Sequence, residues 1–275
     1  MQVVRAGLTF DVRDEGPRDG EPVVLLHGFP QTSAIWGPLT ARLHAAGYRT
    51  LAPDQRGYSP GARPRGIRPY ALPELVADAL AVVDAATAGR AHLVAHDWGA
   101  GVAWALAARH PDRVATLTSL SSPPPQALLR GFLRPRRALV VRYIAVIAVP
   151  RLVEGVHARR PDVLVRLLER SGQTRAAAES DLAVDRTTFT AMLNWYRAMP
   201  FGGRDPGLVS APVLYLWGSA DNALLRSTAE AAPRWVAAPL TYVELPGANH
   251  WLPEQNVDEV TPVLLRHLAA HPTSS

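Results

Sequence analysis

The sequence predicts an α/β fold built on a mostly parallel, doubly wound sheet with helices on both faces. Short runs of apolar, branched residues alternate along the chain with segments of helical periodicity. The 275 residues, of which 48% are hydrophobic, are enough to bury one large core. The alternation is interrupted once, in the middle of the chain, so we expect a single core with one insertion.

The apolar runs and the periodic segments predict the individual elements. Strands are expected at residues 23–26, 50–52, 92–95, 114–120, 213–217 and 240–245. Helices are expected at residues 35–46, 73–88, 100–109, 224–232 and 257–270. In a sheet of this type the loops that follow the strands meet at one edge, and we expect the functional site there.

Between residues 122 and 207, helical patterns follow one another with no convincing strand. This stretch begins with three prolines and ends with the sequence FGGRDPG, and both sets of helix breakers are suited to hinges. We therefore predict a helical cap (lid) at 122–207, inserted between a first core part at 1–121 and a second at 208–275. Two separate domains are the alternative interpretation.

Composition narrows the classes of function. The net charge of +5 comes from arginine alone, and it is concentrated in residues 121–205, where fourteen arginines accompany seven acids. No nucleic-acid-binding motif accompanies this excess, so no nucleic-acid partner is expected. The absence of cysteine excludes disulfides and thiolate chemistry. No cluster of His, Asp and Glu indicates a metal site, and we expect neither a metal nor a cofactor.

A membrane or secretory location is not indicated. No signal peptide is recognised at the N-terminus. The most apolar stretch, residues 138–150, is interrupted by Arg142 and is too short to span a bilayer. We expect a soluble cytoplasmic protein.

The segment AHLVAHDWGAG, residues 91–101, leads a buried strand through a turn of small residues into a helix, with Asp97 at the bend. It follows the nucleophile-elbow pattern G-x-S-x-G, with Ala95 for the first glycine and Asp97 for serine. A carboxylate that attacks a saturated carbon forms a stable alkyl ester, which water can hydrolyse afterwards. The simpler interpretation is that Asp97 only caps the helix.

Two further polar residues follow the last two predicted strands. Asp221 lies in WGSADN and His250 in LPGANHW, which completes the order nucleophile, acid, histidine. Asp221 would orient His250 while His250 draws a proton from water. Each could instead be structural, Asp221 as a turn residue and His250 as an ordinary loop histidine.

The segment LLHGFPQ, residues 25–31, follows an early central strand. The backbone amides of Phe29 and Trp98 could form an oxyanion hole for the adduct that arises when water adds to an ester carbonyl. Gly28 would permit the close turn, and His27 is expected to brace the loop through hydrogen bonds. An ordinary strand-ending loop is the alternative.

Together the segments HGFPQ, APDQRGYSP, AHDWGAG and PGANHW resemble the epoxide hydrolases of the α/β-hydrolase superfamily, over nearly the whole chain. The resemblance implies an α/β-hydrolase fold with an inserted cap, and a small-molecule epoxide as substrate. It also implies a vicinal diol as product, formed through an alkyl ester on Asp97. We do not expect the extra N-terminal domain that the mammalian soluble members carry.

Members of that family open the ring with two cap tyrosines, and this resemblance points to Tyr196 in LNWYRAM and Tyr143 in VVRYIAV. On helices both could face an apolar cleft, although a tyrosine that merely packs its ring is the common alternative. Phe29, Trp98 and Trp195 are predicted to wall the substrate pocket.

Several other functions remain open. Haloalkane dehalogenases share the nucleophile but resemble one another in having Asn or Trp where this chain has Phe29. Fluoroacetate dehalogenases have Arg where this chain has Trp98. An epoxide-opening cyclase and a non-catalytic ligand-binding homologue are further alternatives, and the chain could be a monomer or a homodimer.

Overall fold

A computed structural model of the chain describes residues 1–132, 144–203 and 205–273. Its sheet has eight strands in the order β1-β2-β4-β3-β5-β6-β7-β8. The strands are β1 (Gln2–Arg5), β2 (Leu8–Glu15), β3 (Pro22–Leu26), β4 (Arg49–Pro53), β5 (Ala91–His96), β6 (Val114–Leu120), β7 (Val213–Gly218) and β8 (Leu240–Leu245). Strands β3 to β8 pair in parallel. The predicted fold class is confirmed.

The antiparallel strands β1 and β2 were not among the predicted elements. Their residues alternate between buried and exposed, so they lack the continuous apolar run that predicts a fully buried strand. Ala6 and Gly7 connect them with positive φ angles of 50° and 76°, as the tightest hairpin turns require. Phe10 and Val12 of β2 then point into the core.

Helices cover both faces of the sheet. The helices whose bounds lie within the described residues are, in chain order, α1 (Gly37–Ala45), α2 (Leu72–Ala86), α3 (Asp97–Arg109), α4 (Pro125–Phe132), α5 (Leu152–Arg159), α6 (Pro161–Arg170), α7 (Arg175–Asp181), α8 (Arg186–Arg197), α9 (Arg226–Ala229), α10 (Leu252–Gln255) and α11 (Val257–Ala269). The single helix expected at 224–232 is wrong. Helix α9 ends at Ala229, and a separate 3₁₀ turn follows at Ala232–Trp235. Its second residue, Pro233, has no N–H to continue the helical hydrogen bonds.

The sheet separates two layers of core. On one face α2 and α3 pack through side chains that include Val76, Val82 and Trp104. On the other face α1 and α11 pack through side chains that include Leu39 and Leu264. The central strand β5 is buried over its whole length, as expected of a parallel strand covered on both sides.

Helices α4 to α8 lie within the predicted cap, and no strand occurs there among the described residues. Helix α8 ties this region to the core. The indole N–H of Trp195 donates to the carbonyl of Arg56 at 2.8 Å. The Arg56 guanidinium is itself buried and paired in two-pronged fashion with Asp78, at 2.6 and 2.7 Å. The cap bounds of 122–207 stay a prediction.

The described helices include none with the combined length and apolar character needed to cross a bilayer.

Candidate active site

Asp97 occupies a strained turn between β5 and α3. Its φ angle is +50°, a left-handed conformation that is costly for a residue with a Cβ. The backbone of this turn also lies close to the loop after β3. A Cβ on Gly99 would overlap the carbonyls of Leu26 and His27. A Cβ on Gly28 would overlap the Asp97 side chain itself. The turn therefore has the geometry of a nucleophile elbow, with its carboxylate projecting from the end of the central strand.

Gly101, two residues beyond the elbow pattern, has room for a side chain. A methyl group there would meet only the Cγ of Pro125, at the ordinary contact distance of 3.9 Å. The requirement for a small residue is therefore strict at Gly99 and Gly28 and relaxed at Gly101.

The structure brings Asp97, His250 and Asp221 together from the ends of three strands. His250 Nδ1 lies 2.9 Å from Asp221 Oδ2, and His250 Nε2 lies 3.6 Å from Asp97 Oδ2. Both His250 and Asp221 are buried, while about a fifth of the Asp97 side chain is exposed (21%). One imidazole therefore links the two carboxylates, and the accessible group of the three is the candidate nucleophile.

The charges of these three side chains are coupled. Burial alone would lower the pKa of His250, but the carboxylates of Asp221 and Asp97 outweigh it and raise that pKa to about 10. Burial would raise the pKa of Asp97, but hydrogen bonding and charge from His250 lower it overall. At neutral pH the resting site therefore holds an imidazolium between two carboxylates.

Asp221 is held rigidly as the orienting acid. Its Oδ1 accepts the backbone N–H groups of Ala223 and Leu224 at 2.8 and 2.9 Å, which leaves Oδ2 for His250. Three donors to one buried carboxylate stabilise its charge. The turn role considered for Asp221 is therefore present together with the contact to His250.

Of the two amides predicted to form the oxyanion hole, that of Phe29 makes a hydrogen bond to Asp97 in the structure. The backbone N–H of Phe29 donates to Asp97 Oδ1 at 2.9 Å. Trp98 is the second residue of α3, so its amide has no intrahelical carbonyl to bind. This leaves the Trp98 amide available for the same oxygen, and its role remains a prediction.

His27 braces the loop after β3, as predicted. Its Nε2 accepts the backbone N–H of Gln55 at 3.1 Å, and Nδ1 donates to the carbonyl of Gly28 at 3.0 Å. The amide side chain of Gln55 returns a bond of 2.6 Å to the His27 carbonyl. Asp54 accepts the amide of Ser33, also a structural role. These contacts fix the loop that presents the Phe29 amide.

An aromatic side chain of the predicted cap packs against the two rings that flank Asp97. Tyr196 on α8 packs edge-on against Phe29 and Trp98, with ring centroids 5.4 and 4.9 Å apart. Trp195 is buried behind Trp98, at 6.0 Å between centroids, and its N–H is already bound to the core. Tyr143, the other predicted cap tyrosine, lies outside the described residues. Of the predicted aromatic residues, Phe29, Trp98 and Tyr196 therefore lie together beside Asp97.

Two buried side chains near His250 were not anticipated from the sequence. His96 Nε2 and Ser121 Oγ both donate to the carbonyl of His250, at 2.9 and 2.7 Å. Burial, with the charge of His250, lowers the pKa of His96 to about 4, so its imidazole is neutral at pH 7. His96 ends β5 and Ser121 follows β6, so their position at the same sheet edge was the available signal.

Within the described part of the chain, no group of three or more His, Asp or Glu side chains could hold a metal ion.

Comparison with known proteins agrees with this geometry. Residues 21–148 match the family model described as the alpha/beta hydrolase fold. The chain is 33% identical to epoxide hydrolase A of Mycobacterium tuberculosis over 92% of each protein. It is 32% identical to an AB hydrolase superfamily protein of Bacillus subtilis, YfhM, over 95% of each. The crystal structure of epoxide hydrolase A from Mycobacterium thermoresistibile superposes with a TM-score of 0.84 at 28% identity, covering 100% of this chain and 99% of that one. The chain therefore belongs to the epoxide hydrolases of the α/β-hydrolase superfamily.

Proposed function

We propose that this enzyme hydrolyses an epoxide to a vicinal diol through a covalent alkyl ester on Asp97. The observation that carries the proposal is the carboxylate at the elbow, bound by the Phe29 amide on one oxygen and facing His250 with the other. A carboxylate in this place suits attack on a saturated carbon. The relatives named as epoxide hydrolases support the choice of substrate.

The two oxygens of Asp97 have different tasks in this mechanism. Oδ1 is held by the Phe29 amide, so Oδ2 is the oxygen that attacks a ring carbon. The C–O bond of the ring breaks as the new ester bond forms. Tyr196, with Tyr143 as its predicted partner, binds the departing oxygen, and one of the two phenols protonates it. A phenol with a pKa of about 10 stays protonated at pH 7 until that alkoxide develops.

Ester formation prepares His250 for the second step. The ester has no charge, so the imidazolium loses one of the two carboxylates that raise its pKa. We infer that His250 then releases its proton to solvent, from which the tyrosinate regains one. The neutral imidazole, still held by Asp221 at 2.9 Å, can act as a general base.

In the second step, His250 takes a proton from water as the water oxygen attacks the Asp97 carboxyl carbon. The negative charge develops on Oδ1, where the Phe29 amide, together with that of Trp98 in our proposal, stabilises it. Collapse of the adduct expels the diol oxygen, which takes the proton from His250. Asp97 is left as a carboxylic acid and returns its proton to His250, which restores the resting charges.

A trapping experiment tests this mechanism. His250→Gln, exposed to styrene oxide and digested, is expected to carry the mass of one epoxide on the peptide that contains Asp97, because the ester can form but not hydrolyse. Asp97→Ala treated in the same way is the control and should carry no adduct. Diol formation by the wild type with no trapped adduct in the variant would refute the covalent route.

The aromatic wall favours an epoxide over a halide leaving group. Phe29 offers a ring rather than an N–H donor, and Tyr196, whose phenol can donate a proton, packs against that ring. Release of bromide from a short bromoalkane, measured beside diol formation from styrene oxide, separates the two activities. Halide without diol would make dehalogenation the better assignment.

The wider setting of the enzyme belongs to the same proposal. A cap at 122–207 would cover the site, and the protein would act in the cytoplasm as a monomer or homodimer without a nucleic-acid partner. Buried residues of the predicted cap, among them Ile147, Phe189 and Trp195, belong to the same core cluster as residues of α2 and α3. Phe29 and Trp98 pack against this cluster, which supports a cap that covers the site.

A further inference from the structure

A turn of the cap, residues 170–173 between α6 and α7, makes a set of hydrogen bonds to the core. We call it the cap turn. Its three consecutive acceptors are the carbonyl of Arg170, the hydroxyl of Ser171 and the carbonyl of Gly172. From the core, Asn222 Nδ2 donates to the Arg170 carbonyl at 2.6 Å, and Trp251 Nε1 donates to the Ser171 hydroxyl at 3.1 Å. Asn249 Nδ2 and Gln255 Nε2 both donate to the Gly172 carbonyl, at 3.0 and 2.9 Å.

Three of these donors are chain neighbours of the residues proposed for catalysis. Asn222 follows Asp221, and Asn249 and Trp251 flank His250 on both sides. The two loops come from different strands, β7 and β8, and are joined directly by the bond between Asp221 and His250. The cap turn therefore connects the two loops through a second set of hydrogen bonds, in addition to the bond between Asp221 and His250.

The contact between the cap turn and the His250 loop is tight. Gly172 has a φ angle of +97°, and a Cβ there would lie 2.5 Å from Nδ2 and 2.8 Å from Cγ of Asn249. Asn249 also accepts the backbone N–H of Trp251 at 2.9 Å, so its side chain shapes the turn that contains His250. Any side chain at residue 172 must displace Asn249 and with it this turn.

We propose that the cap turn is a positioning element for ester hydrolysis, because it holds the loops of Asp221 and His250 in the arrangement that makes His250 an effective base. The inference rests on the proposed function, since it concerns the second of its two steps.

Ring opening does not depend on the same contacts. Asp97 is placed by β5, α3 and the Phe29 amide, and Tyr196 is carried by α8. None of these groups hydrogen-bonds the cap turn among the contacts described above. Loosening the turn is therefore expected to slow hydrolysis of the ester and to leave its formation largely unchanged.

The test is Gly172→Ala, with Gly207→Ala as the matched control. Gly207 has nearly the same φ angle, +94°, but an added methyl there has no neighbour within 4 Å. Both changes carry the backbone strain, and only the first disturbs Asn249. Rapid mixing with styrene oxide, followed by quenching and intact-protein mass spectrometry, measures ester formation and ester decay separately.

In Gly172→Ala we expect ester decay to slow roughly tenfold, the ester to accumulate, and ester formation to stay within about twofold of the wild type. Gly207→Ala should match the wild type in both steps. Unchanged decay in Gly172→Ala, or an equal loss in both steps, would overturn the inference.

Ser171→Ala provides a second variant in case Gly172→Ala does not fold. It removes the acceptor of the Trp251 indole without a collision, so a smaller slowing of decay is expected. Unchanged decay in Ser171→Ala, when Gly172→Ala cannot be studied, would also overturn the inference. A wild type that forms no ester at all would instead refute the proposed function, so the two failures are distinguishable.

Discussion

The proposed active site has a core side, formed by Asp221 and His250, and a cap side, formed by Tyr196 of the predicted cap, and the contacts described for the two sides differ in kind. On the core side, Asp221 accepts three hydrogen bonds and the carbonyl of His250 accepts two, from donors on adjacent strands and loops. On the cap side, Tyr196 is packed between the rings of Phe29 and Trp98. Hydrogen bonds fix atoms within a few tenths of an ångström, whereas ring packing tolerates rearrangement.

In the proposed mechanism, this difference separates two requirements of the reaction. Hydrolysis of the ester is the same for every substrate and needs exact placement of the base. Ring opening must accommodate substrates of different shape, and a wall of aromatic rings can adjust to them. Variants on the core side should therefore cost more activity, and affect a different step, than variants on the cap side.

The largest loss is expected for Asp97→Ala, which removes the nucleophile. Diol formation from styrene oxide should fall roughly 10⁴-fold or more, because no ester can form. The measurement is steady-state turnover, with circular dichroism to verify folding. Retention of a substantial fraction of the activity would show that water attacks the epoxide directly.

The next loss is expected for Asp221→Asn. The amide no longer stabilises the His250 imidazolium or fixes its tautomer, so ester hydrolysis should slow roughly 10³-fold while ring opening persists. Single-turnover kinetics should then show an accumulated ester on Asp97. If the ester fails to accumulate because ring opening has slowed equally, Asp221 serves both steps and the separation of core and cap roles is incorrect.

A smaller loss, in ring opening rather than in ester hydrolysis, is expected for Tyr196→Phe on the cap side. The ring packing against Phe29 and Trp98 is retained but one of the two proposed phenol donors is lost, so ring opening should slow roughly 10- to 100-fold. Hydrolysis of a preformed ester should be unchanged. Tyr70→Phe is the control, because Tyr70 is a buried tyrosine that donates to the Pro64 carbonyl away from the site.

The smallest effect concerns stability where cap and core meet. Glu254 on α10 accepts the amide of Gln31 and lies near Asp181 of the cap. Burial, with the charge of Asp181, raises the pKa of Glu254 to about 7. The folded protein then holds a proton that the unfolded chain has already released, so stability falls as the pH rises from about 4.5 to 7.

Glu254→Gln removes that titration. The variant should unfold at a higher temperature than the wild type above pH 7, by roughly 2 °C, and the difference should vanish at about pH 4, below the pKa of this carboxyl in the unfolded chain. Thermal unfolding followed by circular dichroism across this range is the measurement. Asp181, whose pKa burial raises to about 6, acts in the same direction in both proteins. A difference that is independent of pH would mean that Glu254 does not titrate in this range.

Local patterns were sufficient to predict which residues meet at the candidate site. The placement of Asp97, Asp221 and His250 follows from strand ends, and parallel strands bring such ends together whatever the details of packing. The loop of His27 and Phe29 follows from the same rule. These residues depend on their own segment of chain and on the order of the strands.

Other features depend on contacts between distant segments. The cap turn binds Asn222 and Asn249, which lie about 50 and 77 residues further along the chain, and no local pattern encodes that pairing. Strands β1 and β2 alternate buried with exposed residues, and the expected helix at 224–232 is split by the turn at Pro233. Packing rather than local periodicity decides each of these cases.

The most direct test of the covalent mechanism is a single turnover in water enriched in oxygen-18, with the enzyme in excess over styrene oxide. Hydrolysis of the ester at the carboxyl carbon should place one heavy oxygen on the side chain of Asp97, detected by mass spectrometry of its peptide, and the diol should remain unlabelled in that turnover. A labelled diol with an unlabelled Asp97 would contradict the mechanism.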